Sequence, residues 1–313
     1  MLQFLLTRLL TAIPTLLLVT VLVFLLTRMV PGDPALLMLG DMATEASLAD
    51  LRHSMGLDQG MVQQFIIWFG NVLQGNFGHS IQSGQDVLPL ILQRFGVTLS
   101  VVLVAIVIAS LLAIPAGMLA AWKQNSTLDT GLVMFSTFLL SIPSFWMGLL
   151  ILLLFGLKLG WLPVVGYVSL SDNLKAGVLY LLMPVMTLVL VEVGALVRMM
   201  RASTLEVLRL DYVSHARAKG LRERTVLSRH VFPNAFGPTW TLIGLTLGNL
   251  LSGVAVTETV FSLPGLGRLL VDAIYARDYP VIQGCMLFIA TLYVLTNLLI
   301  DALYPLFNPR VSA

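Results

Sequence analysis

Long apolar runs separated by shorter polar segments are the dominant pattern of this chain. A transmembrane helix needs roughly 20 mostly apolar residues to cross about 30 Å of hydrocarbon. The runs that meet this requirement are 9–27, 95–122, 131–157, 176–197, 231–257 and 279–300. Five of them carry no charged residue, and the fourth carries only Glu192. The pattern therefore predicts six transmembrane helices, with prolines such as Pro143 bending some of them.

The composition is that of a membrane protein. Of the 313 residues, 58% are hydrophobic and 11% are charged, whereas soluble domains carry about 25% charged residues. The first apolar run is too long for the core of a signal peptide, and no small-x-small cleavage site follows it, so we expect it to remain as the first span. The single cysteine, Cys285, lies in an apolar run, which excludes a disulfide or a cysteine metal site within the chain. These features predict an all-α integral membrane protein.

The positive charges are distributed unevenly between the two sides of the membrane. With the N-terminus in the cytoplasm, 11 of the 18 Lys and Arg residues fall in cytoplasmic segments and 7 on the opposite side. The cytoplasmic segments are also shorter, so their density of positive charge is higher. Because Lys and Arg in short loops favour the cytoplasmic side, six spans predict that both termini are cytoplasmic.

The longest polar segment, 31–94, is predicted to lie outside. Ser47 and Asp50 have the spacing of a helix-capping box, and residues 61–73 have the periodicity of an amphipathic helix. The apolar face of that helix is predicted to comprise Val62, Phe65, Ile66, Phe69 and Leu73. Two interpretations stay open, namely a small external cap that meets a partner or shapes a pore mouth, and a helix that rests at the lipid interface.

Glu192 is the one acid inside a predicted span. A carboxylate at the centre of a bilayer costs roughly 2.5–3.5 kcal/mol on insertion scales, so such a residue is expected to face water or a partner group. One interpretation is a contact with the substrate or with a gate along a transport pathway. The other is a pair with a basic or hydroxyl group on a neighbouring helix.

The cytoplasmic segment 202–234 is more elaborate than a simple connection between spans. Ser203 and Glu206 have capping-box spacing and predict the start of a short helix. Asp211 is predicted to cap a second helix, and Gly220 to end it in the left-handed conformation. We interpret the segment as a docking surface for another protein.

Two small residues next to the glycine, Ala216 and Ala218, would allow another backbone to approach closely. The alternative is a basic helix lying on anionic lipid. That alternative accounts for the arginines but not for the alanine–glycine pattern with its interrupting turn.

The segment resembles the cytoplasmic loop motif of ABC importer permeases, which reads E-A-A, three residues, G, nine residues, I-x-L-P. Gly220 aligns with the motif glycine, Ala216 with the last alanine and Pro233 with the proline. Departures from the motif occur at Ser214, His215, His230 and Phe232. Asp211-Tyr212 followed by Ala216-Arg217-Ala218-Lys219-Gly220-Leu221 is the version typical of the dipeptide/oligopeptide/nickel permease family.

Further landmarks of that family occur in order along nearly the whole chain. They are Pro31-Gly32-Asp33-Pro34, Gly56-Leu57-Asp58, Gly75-Asn76-Phe77-Gly78, the run 257–267 (TETVFSLPGLG), Asp278-Tyr279-Pro280 and Asn308-Pro309-Arg310. The first landmark and the long outer loop are typical of the B-type of the two permease subunits.

The resemblance implies a type I ABC importer permease fold in the bacterial inner membrane. It implies a first span over 1–30, an external loop with short helices over 31–94, and a five-helix permease core over 95–310 that contains the coupling segment 202–234. Residues implied to couple to an ATPase are Asp211, Tyr212, Ala216, Arg217, Ala218, Lys219, Gly220, Leu221 and Pro233. Glu192 is a candidate pathway residue.

The implied partners are a second, homologous permease subunit, two cytoplasmic ATPases, an external substrate-binding protein and the lipid bilayer, with no nucleic acid. The sequence has no Gly-rich loop followed by Lys-Ser or Lys-Thr, so we expect no nucleotide site, no cofactor and no catalytic site in this chain. Peptides are the favoured cargo, and nickel, glutathione or oligosaccharide are the alternatives within the family.

Two other classes compete with this interpretation. An ion-coupled secondary transporter would show broken helices or paired charges in internal repeats, and Glu192 alone is weak support for one. A membrane enzyme would need a catalytic or metal-binding set. The four histidines lie on loops on both sides of the membrane, without metal-ligand spacing: His53, His79, His215 and His230.

Overall fold

The apolar runs fold into long helices that pack side by side in a computed structural model. The structure describes residues 2–29, 35–36, 44–54 and 56–307. Its N-terminal half contains α1 (Leu2–Met29), α2 (Glu45–Ser54), α3 (Met61–Leu73), α4 (Val87–Trp122), α5 (Thr127–Ser141) and α6 (Ser144–Ile151), the last continued by a π-helix, Leu152–Lys158. Then follow α7 (Leu174–Leu208), α8 (Asp211–Ala218), α9 (Glu223–Thr225) with the π-helix Val226–Val231, α10 (Phe232–Gly253), α11 (Ala255–Val260), α12 (Leu266–Ala276) and α13 (Tyr279–Phe307). The family landmarks at 31–34 and 308–310 lie outside the described residues.

The described helices account for most of the predicted spans. By length and composition, α1, α4, α7 and α13 are able to cross a membrane, and α5 together with α6 forms a fifth candidate if the bent pair is one span. The helix α10 has 22 residues but is not among these candidates. Polar residues such as Thr241 and Asn249 lower its apolar character, so a sixth span through α10 stays a prediction.

The predicted third span is not one straight helix. Its two halves, Thr127–Ser141 and Ser144–Lys158, meet at an angle of 98°. Pro143 occupies the position just before α6, and Ile142 before it is extended, with φ −92° and ψ 123°. A residue that precedes proline is disfavoured in the helical conformation, which explains a break at this point.

Helix α7 lies at the centre of the bundle and packs against α4, α5, α6 and α10. Glycines permit the closest approaches. A Cβ atom at Gly117 of α4 would lie 2.7 Å from the Cβ of Met200, and one at Gly194 of α7 would lie 2.7 Å from the Ser136 carbonyl oxygen. Small residues at such crossings let helices come into backbone contact in a bilayer, where packing rather than hydrophobicity holds helices together.

The outer segment differs in detail from its prediction. Helix α2 begins at Glu45, and Thr44 caps it by accepting a hydrogen bond from the Ser47 backbone N–H, at 3.2 Å. The capping residue is therefore Thr44, three residues before the Ser47 of the predicted capping box. Helix α4 likewise begins at Val87 rather than at 95.

The amphipathic helix predicted over 61–73 is confirmed as α3, and only part of its predicted apolar face is covered. The rings of Phe65 and Trp68 lie 5.3 and 5.5 Å from the ring of Phe24 on α1. Val62 and Ile66 of the predicted face are 75% and 62% exposed. Phe65 and Phe69 of the predicted face are half-buried, and Trp68, which lies outside that face, joins Phe65 against Phe24.

Candidate functional site

The segment 202–234 starts differently from the prediction. Helix α7 continues to Leu208, so no separate helix begins at Ser203. The Ser203 hydroxyl donates to the Met199 carbonyl oxygen one turn earlier, at 3.1 Å, instead of capping a new helix. Met200 and Val207 are buried on either side, and their packing holds the helix together through the capping-box residues.

A short helix, α8, follows at Asp211 as predicted, but Asp211 is not its cap. Leu210 occupies the N-cap position and makes no side-chain cap hydrogen bond. Asp211 instead lies in the first turn, where a negative charge interacts favourably with the positive end of the helix dipole.

The turn at Gly220 confirms the predicted helix stop. Gly220 has φ +76°, in the left-handed region. Its N–H donates to the Arg217 carbonyl oxygen at 2.9 Å, and the Leu221 N–H donates to that of Ala216 at 3.4 Å. These two bonds form a Schellman motif, in which glycine is favoured because it has no Cβ. A Cβ built at Gly220 meets no atom within 4 Å, so the backbone angle alone requires glycine.

A charged pair bridges this turn from outside. Arg217 Nε donates to Glu223 Oε1 at 2.8 Å, and Arg217 Nη2 donates to Glu223 Oε2 at 3.3 Å. The two side chains are 39% and 40% exposed. The pair links the end of α8 to the start of α9.

The inner face of α8 packs against the chain itself. Val213 and Ala216 are buried, as are Val226 and Val231 of the following π-helix. The Tyr212 hydroxyl donates to the carbonyl oxygen of a residue in that π-helix, His230, at 3.2 Å. The small size of Ala216 therefore serves packing within this chain, whereas Ala218 is exposed.

The outer face of α8 and its turn form an exposed polar surface. We call it the α8 surface and define it by its exposed members: Asp211, Tyr212, Arg217, Ala218, Lys219, Gly220 and Leu221. Pro233 is also exposed but lies beyond the π-helix, in the first turn of α10. The structure thus brings together all of the predicted coupling residues except the proline and the buried Ala216, while their coupling role stays a prediction.

Glu192 lies in α7 and is half-buried. Within the described part of the chain it forms no hydrogen bond or ion pair, so the interpretation as a partner of a neighbouring basic or hydroxyl group finds no support there. Its role in a pathway stays a prediction.

A buried carboxylate organises the 257–267 landmark. Glu258 is 1% exposed. It accepts hydrogen bonds from Thr98 Oγ1 at 2.5 Å and from the Arg268 N–H at 2.9 Å. The chain wraps so tightly around this carboxylate that a Cβ at Gly265 would overlap it. The Thr98 hydroxyl also accepts a hydrogen bond, from the Leu266 N–H to Oγ1 at 2.9 Å.

A second acid, Asp278, anchors the outer loop. It is 2% exposed and accepts hydrogen bonds from the Ser80 hydroxyl at 2.5 Å and from the Ile81 and Gln82 N–H groups at 3.1 and 3.3 Å. This carboxylate fixes the end of the outer loop to the start of α13.

A third acid joins α5 to α7. Arg201 Nε donates to Asp129 Oδ1 at 2.6 Å, and Nη2 donates to Oδ2 at 2.8 Å. The side chains are 25% and 5% exposed. Bidentate pairs of this kind are among the strong hydrogen bonds of proteins, and this one joins the start of α5 to the last turns of α7.

Comparisons with known proteins define the class. The family described as "Binding-protein-dependent transport system inner membrane component" matches residues 113–313, and the N-terminal component of the same systems matches residues 1–102. The chain belongs to this family, the permease subunits of ABC importers. The resemblance to dipeptide and oligopeptide permeases is thereby confirmed.

Named relatives cover the whole length. The chain is 40% identical to the di/tripeptide transport system permease protein DppB of Pseudomonas aeruginosa, with 99% of both chains covered. It is 39% identical to the dipeptide transport system permease protein DppB of Escherichia coli, again with 99% of both covered. It is 37% identical to the oligopeptide transport system permease protein AppB of Bacillus subtilis, with 100% of both covered. A crystal structure of an amino acid ABC transporter with histidines matches 71% of this chain and 94% of that one, at 18% identity and a TM-score of 0.47.

Proposed function

We propose that this chain forms one half of the translocation pathway of an ATP-driven peptide importer. The observation that carries the proposal is the uninterrupted similarity to permeases whose names specify dipeptides, di/tripeptides and oligopeptides. Nickel, glutathione and oligosaccharide stay alternatives for the cargo because an external binding protein selects what is delivered.

The rest of the machine lies on other chains. A second homologous permease completes the pore, since six spans enclose too narrow a bundle for a peptide. Two cytoplasmic ATPases supply the energy, and an external binding protein delivers the cargo. Both termini face the cytoplasm of the bacterial inner membrane, with α10 as the sixth span of a type I permease fold. The Lys and Arg distribution supports this orientation.

The α8 surface is the docking site for an ATPase subunit in this proposal. Three features support that role: it is exposed, it is polar, and its helix is short and ends in a fixed turn. Its buried face contacts the π-helix that leads into α10. Movement of a docked ATPase would therefore reach a membrane helix directly. Glu192, half-buried and without an ion pair among the described residues, is the candidate pathway residue.

The test is reconstitution in stages. This chain alone in proteoliposomes should neither hydrolyse ATP nor take up peptide. The complex with the second permease, both ATPases and the cognate binding protein should accumulate a radiolabelled dipeptide when ATP is enclosed with the ATPases. Uptake by this chain alone, driven by an ion gradient, would contradict the proposal and favour a secondary transporter. Uptake of nickel or an oligosaccharide in place of peptide by the full complex would show that the proposed cargo is wrong.

A further inference from the structure

A polar groove lies apart from the α8 surface, at the other end of α4. It has a volume of about 640 Å³ and is bounded by the first turns of α4, by the connection that precedes α7 and by Pro264. Both a basic and an acidic side chain line it, Arg94 and Asp172, together with polar groups such as Ser100 and Tyr167. The charge distribution assigned above places this groove on the external side.

Arg94 lines the groove and has no ion pair among the described residues. Its Nε is buried and has no hydrogen-bond partner in the part of the chain that the structure describes. A guanidinium group stays charged at any physiological pH and presents five N–H donors in a flat fork that matches a carboxylate. Because the described residues give Arg94 no ion pair, its charge can be met by the carboxylate of a bound ligand.

Asp172 supplies the opposite charge from the connection before α7. It is exposed, and the Ser171 hydroxyl donates to its Oδ1 at a long 3.3 Å. Arg94 and Asp172 form no ion pair with each other in the described structure. Each charge is therefore available to a ligand, and the two are held apart in one groove.

We infer that this groove is an entry subsite for short peptides, in which Arg94 binds the free α-carboxylate and Asp172 binds the free α-ammonium group. The inference rests on the proposed peptide transport and adds to it the recognition of both termini. An extended chain advances about 3.3–3.6 Å per residue, so the two charges of a dipeptide lie several ångströms apart, as two separated side chains require. The groove volume lies in the range of about 300–1,000 Å³ typical of small-ligand sites.

The wall of the groove is fixed before any ligand arrives. Thr98, one helical turn after Arg94, donates to the buried Glu258, and Leu266 N–H donates to Thr98. Pro264 immediately precedes the glycine that packs over the same carboxylate. A preformed wall of this kind lowers the ordering cost of binding.

The inference is tested on the assembled complex in nanodiscs, without its binding protein. A dipeptide that carries a photoreactive diazirine side chain is crosslinked over a range of concentrations, and the sites are mapped by mass spectrometry. We expect crosslinks in 93–100 and 167–172. An unmodified dipeptide should compete, whereas its C-terminal amide and its N-acetyl derivative should each compete at least about tenfold less well, which corresponds to 1.4 kcal/mol.

Variants then assign each terminus. Arg94→Gln should raise the half-saturating peptide concentration about tenfold and abolish the preference for the free carboxylate, and Asp172→Asn should abolish the preference for the free ammonium group. Arg268→Gln is the matched control, because its side chain pairs with Asp272 at 3.7 Å and does not line the groove. Crosslinks that avoid the groove, in a wild-type complex that imports peptide, would overturn the inference and leave the proposed function intact. Equal competition by the blocked peptides would also overturn it. A wild-type complex that imports no peptide would instead overturn the proposed function.

Discussion

Arg217 donates two hydrogen bonds to Glu223 on the other side of the turn at Gly220, at 2.8 and 3.3 Å. The positive charge of Arg217 is therefore partly neutralised within the chain. Lys219, at the C-cap of α8, is exposed and lies outside this pair. Lys219 is thus the better probe of charge attraction between the α8 surface and an ATPase.

Lys219→Glu should weaken association with the ATPase subunits at low ionic strength. The loss should shrink as salt rises, because exposed charges separated by more than about 10 Å are screened at 0.1 M salt. Co-purification of ATPases with the permease pair, measured from low to high salt, checks this. Lys158→Glu, at the far end of the bent pair of helices, is the matched control and should leave association unchanged. A salt-independent loss in the Lys219 variant would argue against a charged contact.

Gly220→Val should abolish ATP-driven uptake while the protein still inserts at normal level. A non-glycine residue in the left-handed conformation costs roughly 1–2 kcal/mol, and a β-branched residue tolerates that conformation least well. Gly220→Asn should retain most of the uptake, since asparagine tolerates the left-handed region. Gly131→Val is the control, because that glycine also has open space around its Cβ position but lies within α5. Wild-type uptake by the valine variant would remove the case for a fixed turn.

Asp129→Asn should destabilise the bundle by about 1–3 kcal/mol, because it leaves the half-buried Arg201 guanidinium without its carboxylate. The midpoint of thermal unfolding in detergent reports the loss. Asp272→Asn removes an exposed carboxylate whose contact with Arg268 is long, 3.7 Å, and should change the midpoint little. Equal midpoints for both variants would show that the buried pair adds nothing to stability.

The turn after α2 should respond to pH through His53. The protonated His53 Nδ1 donates to Asp58 Oδ2 at 2.7 Å, and this hydrogen bond raises the pKa of His53 above 6.5 and lowers the pKa of Asp58 below 3.8. The stabilisation from the charged His53 is complete below the pKa of His53 in the unfolded chain, and it is lost as pH rises through the raised pKa of the folded protein. The stabilisation from the ionised Asp58 is lost as pH falls through the lowered pKa of Asp58. The ion pair should therefore stabilise this turn most between pH 3.8 and pH 6.5, the ordinary pKa values of Asp and His. An NMR titration should give His53 a lower pKa in Asp58→Asn than in the unmodified protein, and identical curves would contradict the pairing.

Two matched serines test the orientation. Ser83→Cys should react with an impermeant thiol reagent in intact cells, whereas Ser228→Cys should react only after permeabilisation. Both serines are exposed, and the native Cys285 is buried, so the introduced thiols dominate the signal. External labelling at 228 in intact cells would reverse the topology.

Features set by a few adjacent residues were predictable from the sequence. Gly220 ends α8 as expected because a left-handed turn depends on the local backbone. The helix α3 was predicted from its period, and its predicted face included Phe65 but missed Trp68, the second ring against α1. The capping-box spacing at Ser203 did not start a new helix, because the buried Met200 and Val207 keep α7 helical past this residue.

The buried acids were beyond sequence reasoning because their partners are remote along the chain. Glu258 meets Thr98 across 160 residues, and Asp278 meets Ser80 across 198 residues. An acid in a polar segment looks exposed unless its donors are known. Pro143 did signal a bend, but a proline alone does not fix an angle of 98° between the two halves of the span.

The connection between α8 and α10 contains very few residues outside helical structure. Between Asp211 and Gly253 only residues 219–222 lie outside helical structure. The ion pair of Arg217 with Glu223 spans this short non-helical segment. The Tyr212 hydroxyl and the Asn234 amide both donate to the same carbonyl oxygen, that of His230, at 3.2 and 2.9 Å. In the proposed complex, a displacement of α8 by a docked ATPase would therefore reach the first turn of α10 through a rigid connection, with little of the movement lost in a flexible loop.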